Sequence, residues 1–437
     1  MSVIAKVKSK ALGSQTKRNT VFALGAEIAQ LALSMAAFFL IYKSLGAESF
    51  GLYSAAIAHG LLAATIGYFG SQQLLMRDFA LGRPFQVLWS RLLSTVLAGT
   101  VIFSALLMVT RGWLLDQVSP VTYLLLVVSQ MLFFGLTDFA VIAAQAHRKL
   151  EVAMRVRLST GVIRLIGVLV FFVVGNGTLD QWAVFGLFAW GAAAAWSLVT
   201  VRSSFGASPT LGTFTQHDIR DGIPYTLMGG ANTLLDSMDK TMLPKYGFEL
   251  QAGWYAAGYR IAALAVVPVM ALVRATDQDF FGAGSRSLAE AYVLAKKLVR
   301  PVILFGIAAG IGLFIFAPVF PWILRDQDAQ MDTVIRWLAV LPLIRGVSIF
   351  PANALTGAGR QGLRNGLIVM AMVINFAINV WLIPSYNWKG AVAATLVAES
   401  LSAIGMWIAL VYLVRKDRRI DDFEAQLIEE YGEPQRR

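Results

Sequence analysis

Apolar runs of about twenty residues recur along the whole chain, and few folds tolerate so many. A run of that length crosses a ~30 Å hydrocarbon core as a helix. Inside lipid, only helices and closed barrels satisfy their own backbone polar groups. About twelve such segments are expected, near residues 20–41, 52–76, 88–109, 119–144, 158–176, 181–201, 223–245, 253–274, 300–324, 332–355, 364–384 and 389–414. Hydrophobic residues make up 57% of the 437 positions and charged residues 14%. The expected fold class is therefore an all-α polytopic membrane protein. Pro268, Pro318 and Pro342 fall inside segments, which a bilayer helix tolerates where neighbouring helices re-satisfy its backbone. The lysine-rich N-terminus resembles the start of a signal peptide, but the apolar run behind it contains Glu27 and Gln30 and is long enough to be a retained span.

The basic residues orient these spans. Alternate connections hold Lys6, Lys8, Lys10, Lys17 and Arg18; Arg77, Arg83 and Arg91; Arg148, Lys149, Arg155 and Arg157; Arg202 and Arg220; Arg274, Arg286, Lys296, Lys297 and Arg300; Arg360 and Arg364; and Arg415 to Arg419. The opposite side carries only Lys43, Arg111, Lys245, Arg325, Arg336 and Lys389. This asymmetry places both termini in the cytoplasm, which an even number of crossings allows. The net charge of +11 is then a topology signal and not a nucleic-acid footprint. Cysteine is absent, so disulfide and thiolate chemistry are excluded. No connection is long enough for a soluble catalytic domain, and the acidic tail (Asp421, Asp422, Glu424, Glu429, Glu430) reads as a solvated helix or frayed end.

Two stretches about 200 residues apart share one pattern. Leu45-Gly46-Ala47-Glu48-Ser49-Phe50-Gly51-Leu52-Tyr53 and Tyr246-Gly247-Phe248-Glu249-Leu250-Gln251-Ala252-Gly253-Trp254-Tyr255 each follow an apolar run, turn at glycine and open a second run. Basic connections at His147-Arg148-Lys149 and Gly359-Arg360-Gln361 also correspond. The chain thus reads as two homologous six-helix lobes, 1–201 and 223–414, joined by a cytoplasmic linker, 202–222, and followed by a tail, 415–437. Six crossings per lobe make this a parallel repeat.

Ionisable residues within the spans are the candidates for function, because each costs at least ~2.5–3.5 kcal/mol at a helix centre unless it faces protein or water. The acidic set is Glu27, Asp138, Asp236, Asp239 and Glu399; the basic set is Arg164, Lys240, Arg260 and Arg345. Asn232, Asp236 and Asp239/Lys240 fall at helical spacing on one face of the seventh segment. Two readings fit Asp236: a titratable carboxylate lining a cavity, or one half of an intrahelical pair with Lys240. Arg345, Arg260, Arg164 and Lys240 suit an anion, since guanidinium binds phosphate oxygens in bidentate fashion and stays charged. Asp236, Asp239, Glu27, Glu399 and Asp138 are candidates for ion coupling or charge pairing, with Asp138 read as the counter-ion of a nearby base. Asn232, Gln30, Gln72 and Asn375 are candidate polar lining. His59 reads as a packing histidine ahead of a proton relay. No metal or cofactor site is expected.

Beyond these residues, three strings resemble a known family: LGAESFGLY, DKTMLPKYGFELQAGWYAAGYRIA, and GRQGLRNGLIVMAMVINFAINVWLIPSYNWKGAVAATLVAE. Over about residues 15–415 the chain is similar to the polysaccharide (O-antigen type, Wzx-like) flippases of the multidrug/oligosaccharidyl-lipid/polysaccharide exporter superfamily. That resemblance implies two six-helix lobes in a V around a central, cation-lined cavity, in the bacterial inner membrane. It implies alternating access that carries a polyprenyl-diphosphate-linked oligosaccharide from the cytoplasmic to the periplasmic leaflet for O-antigen, capsule or exopolysaccharide synthesis. H+ or Na+ antiport, a polysaccharide polymerase and a chain-length regulator are the implied partners, besides membrane lipid. The lipid II flippase subgroup differs, with fourteen helices and arginines in its first helices. A small-amphiphile exporter of the same superfamily is the alternative. An integral-membrane polymerase or ligase fits less well, because it would need a sizeable outer loop with catalytic groups.

Overall fold

The computed structural model describes residues 3–213, 215–324 and 330–431, without the side chains of residues 3–24, 26, 27, 217 and 418–431. The described residues are helical almost throughout: α1 (Val3–Gly67), α2 (Ser71–Ala80), α3 (Phe85–Leu114), α4 (Pro120–Val128), a π-helical turn (Ser129–Phe134), α5 (Gly135–Ala146), α6 (Leu150–Val174), α7 (Leu179–Phe205), α8 (Gln216–Lys245), α9 (Glu249–Leu264), α10 (Val267–Arg286), α11 (Leu288–Phe316), α12 (Val319–Leu324), α13 (Met331–Leu338), α14 (Leu341–Gly357), α15 (Gln361–Tyr386) and α16 (Trp388–Tyr431).

Among the described residues, nine helices are long and apolar enough to cross a membrane, and ten if α9 and α10, bent by 46°, form one span. One of the nine, Ile28–Gly67, has 40 residues, which at 1.5 Å per residue is about twice the hydrocarbon thickness. It breaks at Gly46, whose φ of 75° and ψ of 171° are not helical. α8 has the length of a span, 30 residues, and is polar because Asp236, Asp239 and Lys240 lie within it. With α1 divided, the bent pair joined and α8 included, the helices accommodate the twelve crossings expected. Side chains such as Val109, Phe188, Leu304 and Trp381 stay exposed, a surface suited to acyl chains.

Both hairpins of the sequence pattern hold their glycine at positive φ. Gly247 has φ 79° and Gly46 φ 75°, a region a side chain enters only with strain. The prolines differ from expectation. Pro268 and Pro342 stand at the first turn of α10 and α14, where a missing N–H costs no hydrogen bond. Pro318 directly precedes α12. They mark breaks between helices, while Pro224 and Pro244 of α8, Pro301, Pro351 and Pro384 lie inside helices. The segment expected at 52–76 also ends early. At its break Phe69 (φ 46°) and Gly70 (φ 63°) are left-handed, and the neighbouring Tyr68 hydroxyl donates to the Met131 carbonyl of the π-helical turn. A π-turn leaves carbonyls out of the regular ladder, so one irregularity supplies the acceptor for the other.

The chain forms two compact units, Met1–Thr233 and Leu234–Arg437. Their boundary falls inside α8, not in the 202–222 connection, and the reason lies in α3. Gln86, Ser90 and Ser94 recur every four residues on one face of α3 and bind the extended chain after α7. Gln86 Nε2 donates to the Ser208 carbonyl (3.0 Å) and to Thr210 Oγ1 (2.9 Å), and its Oε1 accepts from the Ser208 N–H (2.8 Å). Ser94 Oγ donates to the Gly212 carbonyl (2.7 Å) and accepts from its N–H (2.9 Å). Farther on, Asp221 pairs with Arg77 (2.8 Å) and Asp218 lies 3.5 Å from Arg91. Hydrogen bonds to Asp78 and Asp221 raise the Arg77 guanidinium above its already high pKa. The connection is thus a strap of the first unit.

In the second unit, α10, α11, α14 and α16 close on Val269, Phe280, Ala291, Ala295, Phe350 and Leu410. Alanine at the contacts of α11 brings helix backbones near one another, and Trp407 Nε1 donates to the Val347 carbonyl at 3.0 Å. This packing fixes α14 against α16 and so fixes the polar side chains on their facing turns.

Candidate functional site

Three helices of the second unit each place two polar residues about one turn apart: Asp236 and Asp239 on α8, Tyr255 and Tyr259 on α9, Thr395 and Glu399 on α16. Residues three or four apart share a helix face, so the three pairs stack into two layers. One layer is closed. Asp239, 1% exposed, accepts from the Tyr255 hydroxyl, from Thr395 Oγ1 (2.9 Å) and from the Lys240 N–H (2.9 Å). Neutral donors satisfy it, as a buried acceptor requires. The Tyr255 and Thr395 hydroxyls are themselves 2.9 Å apart.

The other layer is built on Arg345, in the second turn of α14 and near the middle of the Met331–Gly357 span. Its Nε donates to Glu399 Oε1 (2.8 Å), and its Nη2 reaches Glu399 Oε1 (2.5 Å), Asp236 Oδ1 (2.6 Å) and the Tyr259 hydroxyl oxygen (2.6 Å). Tyr259 in turn donates to Asp236 Oδ1 at 2.8 Å. The Lys240 ammonium lies 3.9 Å from the centre of the Tyr259 ring and donates to the main-chain carbonyl of Asp236 (2.6 Å), not to its carboxylate. The intrahelical pair of the Asp236 carboxylate with Lys240 is not formed: the ion-pair partner of Asp236 is Arg345, from another helix.

The two carboxylates on Arg345 differ in surroundings. The Glu399 side chain is 11% exposed and that of Asp236 53% exposed, against 20% for Arg345. An exposed charge within a span faces water and not acyl chains, where its cost would be prohibitive. Arg345 Nη1 finds no acceptor among the described residues, and it is not buried. One edge of the guanidinium is thus held, and its remaining pair of N–H donors is open.

The other sequence candidates sit elsewhere. Arg260 is half-buried on α9. Arg164 belongs to the first unit, where its guanidinium carbon lies 3.9 Å over the Trp190 ring, a cation–π contact. Gln72 and Asp138 meet in the first unit, with Gln72 Nε2 donating to Asp138 Oδ2 at 2.9 Å. Asp138 takes this neutral donor as its direct partner, with Arg157 the charge acting on it. Gln30 is half-buried, and its Oε1 has no hydrogen-bond partner. Asn232 is exposed and donates to Met228 O (2.9 Å) in its own helix. Asn375 corrects an expectation: it is wholly buried with Asn379 on α15, accepting from Asn379 Nδ2 at 2.9 Å, so it lines no open wall. The side chain of Glu27 lies outside the described residues. His59 is buried with a ring nitrogen 3.1 Å from the Tyr123 hydroxyl, in keeping with a packing role. Tyr255, Tyr259 and Thr395 were not singled out as functional. Their signal was the four-residue spacing of two tyrosines and of a threonine with Glu399.

No protein-family model matches the chain, and no curated protein matches it in sequence. The fold does match solved structures. A multidrug resistance MATE family transporter of the MOP superfamily, in an inward-facing conformation, is 14% identical with a TM-score of 0.72, covering 89% of this chain and 99% of that one. A MOP superfamily transporter from Pyrococcus furiosus, described as having a binding pocket of reverse polarity that suggests a different function, is 13% identical with a TM-score of 0.60, covering 90% and 95%. A variant of the Vibrio cholerae MATE transporter VcmN is 16% identical with a TM-score of 0.59, covering 94% and 98%. The chain shares the fold of these polytopic transporters over nearly its whole length.

Proposed function

We propose that the protein is an alternating-access flippase of the bacterial inner membrane, with both termini cytoplasmic, that moves a polyprenyl-diphosphate-linked oligosaccharide to the periplasmic leaflet. The transporter fold and the family resemblance of the hairpin and α15–α16 strings support this reading. The observation that carries it is Arg345: an arginine at mid-span, braced on one edge and open on the other, is a preformed donor pair for a phosphoryl oxygen. Lys240 adds a second positive charge, and Asn232 an exposed amide for sugar hydroxyls. Arg260 and Arg164 are the further cations of the proposed anion path. Asp236, Asp239 and Glu399 are the carboxylates through which H+ or Na+ would be exchanged.

The two lobes proposed from the sequence, 1–201 and 223–414, would alternate access to this site, with the prenyl tail remaining in lipid. The polymer would be O-antigen, capsule or exopolysaccharide, with a polymerase and a chain-length regulator acting downstream. The test is depletion of the protein in a strain that makes the polymer. Lipid-linked oligosaccharide should accumulate on the cytoplasmic face; its absence there overturns the proposal.

Export of small amphiphilic molecules is the second reading, favoured by the two carboxylates that already neutralise Arg345. It predicts efflux of amphiphilic cations and no change in lipid-linked oligosaccharide on depletion.

A further inference from the structure

Arg345 carries two carboxylates where one would balance it, and the two are not equivalent. Glu399 meets it with two contacts, at Nε and Nη2, from a nearly sealed position on α16. Asp236 meets it with one, at Nη2, from a side chain more than half exposed. Glu399 therefore serves as the counter-ion that lets an arginine reside at mid-span. The Asp236 carboxylate is a second anion on an already neutralised guanidinium, held by a single charge-assisted contact at Nη2, next to the open Nη1 donors. A phosphoryl oxygen is the same kind of acceptor: anionic, planar to the fork and hydrogen-bonding to N–H.

We infer that Asp236 is a placeholder, an internal anion that occupies part of the Arg345 fork until an anionic cargo displaces it. This inference rests on the anion-site reading above and adds what controls it. Displacement would transfer Nη2 from Asp236 to the cargo while Nε stays on Glu399, so the arginine need not move. Tyr259 makes the exchange cheap in geometry. Its hydroxyl accepts from Arg345 Nη2 and donates to Asp236 Oδ1, so it is a positioning residue that keeps the carboxylate in register with the fork. Lys240, bonded to the main-chain carbonyl of Asp236, would be left as a nearby charge for the released group.

The consequence has an unusual sign. Removing a group that contacts the binding residue should tighten anion binding. The test is binding of inorganic pyrophosphate to the purified full-length protein in detergent, measured by calorimetry for wild type and for Asp236→Asn, Asp239→Asn and Glu399→Gln. Losing one charge-assisted competitor whose side chain is more than half exposed corresponds to roughly two- to five-fold in affinity. Asp236→Asn is expected to bind pyrophosphate tighter by that factor. Asp239→Asn changes a carboxylate one turn away that bonds Tyr255, Thr395 and the Lys240 N–H and does not touch Arg345, and is expected to change affinity by less than Asp236→Asn does. Glu399→Gln is expected to lower thermal stability. Should Asp236→Asn fold poorly, Asp236→Ser serves in its place with the same expected gain. Equal tightening in Asp236→Asn and Asp239→Asn means a general field effect and overturns the placeholder. Binding by wild type with no gain in Asp236→Asn overturns it as well, while leaving the anion site standing. No pyrophosphate binding by any variant overturns the anion-site reading and the placeholder with it.

Discussion

The two carboxylates on Arg345 should differ in the energy with which they are coupled to it, and a double-mutant cycle measures this directly. Glu399 accepts from Nε at 2.8 Å and Nη2 at 2.5 Å with its side chain 11% exposed. Hydrogen bonds to charged groups contribute about 1.5–3 kcal/mol, and removing one partner of a buried pair costs about 3–5 kcal/mol. Because Arg345 keeps some exposure, we place the Arg345–Glu399 coupling at about 2–3 kcal/mol. Asp236 has one contact, and its 53% exposure puts it in the range of screened pairs, about 0.2–1 kcal/mol. The cycles use Arg345→Met with Glu399→Gln, and Arg345→Met with Asp236→Asn. The assay is reversible unfolding in mixed micelles as a function of denaturing detergent, with each coupling taken from the four stabilities. A Glu399 coupling exceeding that of Asp236 by at least about 1 kcal/mol is expected from these ranges. Equal couplings, or the reverse order, would refute the assignment of Glu399 as resident counter-ion.

Three further outcomes follow from particular contacts. Tyr255→Phe and Thr395→Val each remove a donor from buried Asp239 and should cost about 1–3 kcal/mol in the same unfolding assay; stabilities unchanged from wild type would show that the closed layer does not form. Gly46→Ala and Gly247→Ala, forced into positive φ, should each lower stability by about 1–2 kcal/mol, although no atom lies within 4 Å of a Cβ built at either position; a neutral Gly46→Ala would contradict the turn geometry. Gln86→Ala should free the strap after α7, so that limited proteolysis cuts near residues 206–213 faster than in wild type; an unchanged cleavage rate would mean the side-chain contacts do not hold it.

The spans were legible because lipid imposes a length and a polarity that composition reports directly. Even α8, too polar to pass as an ordinary span, was marked by the hairpin that follows it. The glycine turns were legible too, since only glycine enters that backbone region without strain and it occurs at both matching positions. The breaks were not. Pro268 and Pro342 read as interior prolines because the apolar run continues across them, and only coordinates show that a new helix starts there. The strap escaped notice because Gln86, Ser90 and Ser94 bind backbone, and backbone acceptors leave no sequence signal. At the site, depth and charge found Asp236, Asp239, Lys240, Arg345 and Glu399. They did not reveal which charge meets which, because pairing depends on the rotation of α8, α14 and α16 about their axes. Asn375 illustrates the same limit: its position in the span was right, and its facing was set by packing within α15.

The central claim is that Arg345 holds the anionic head of a lipid-linked sugar during passage between leaflets. The most direct measurement is leaflet exchange of a polyprenyl-diphosphate-linked oligosaccharide in proteoliposomes, with the wild-type protein and with Arg345→Met. The account predicts exchange with wild type, above that of protein-free vesicles, and its loss in Arg345→Met. Exchange that persists in a folded Arg345→Met protein, or wild-type vesicles that move amphiphilic cations and leave the lipid-linked sugar in place, would contradict it.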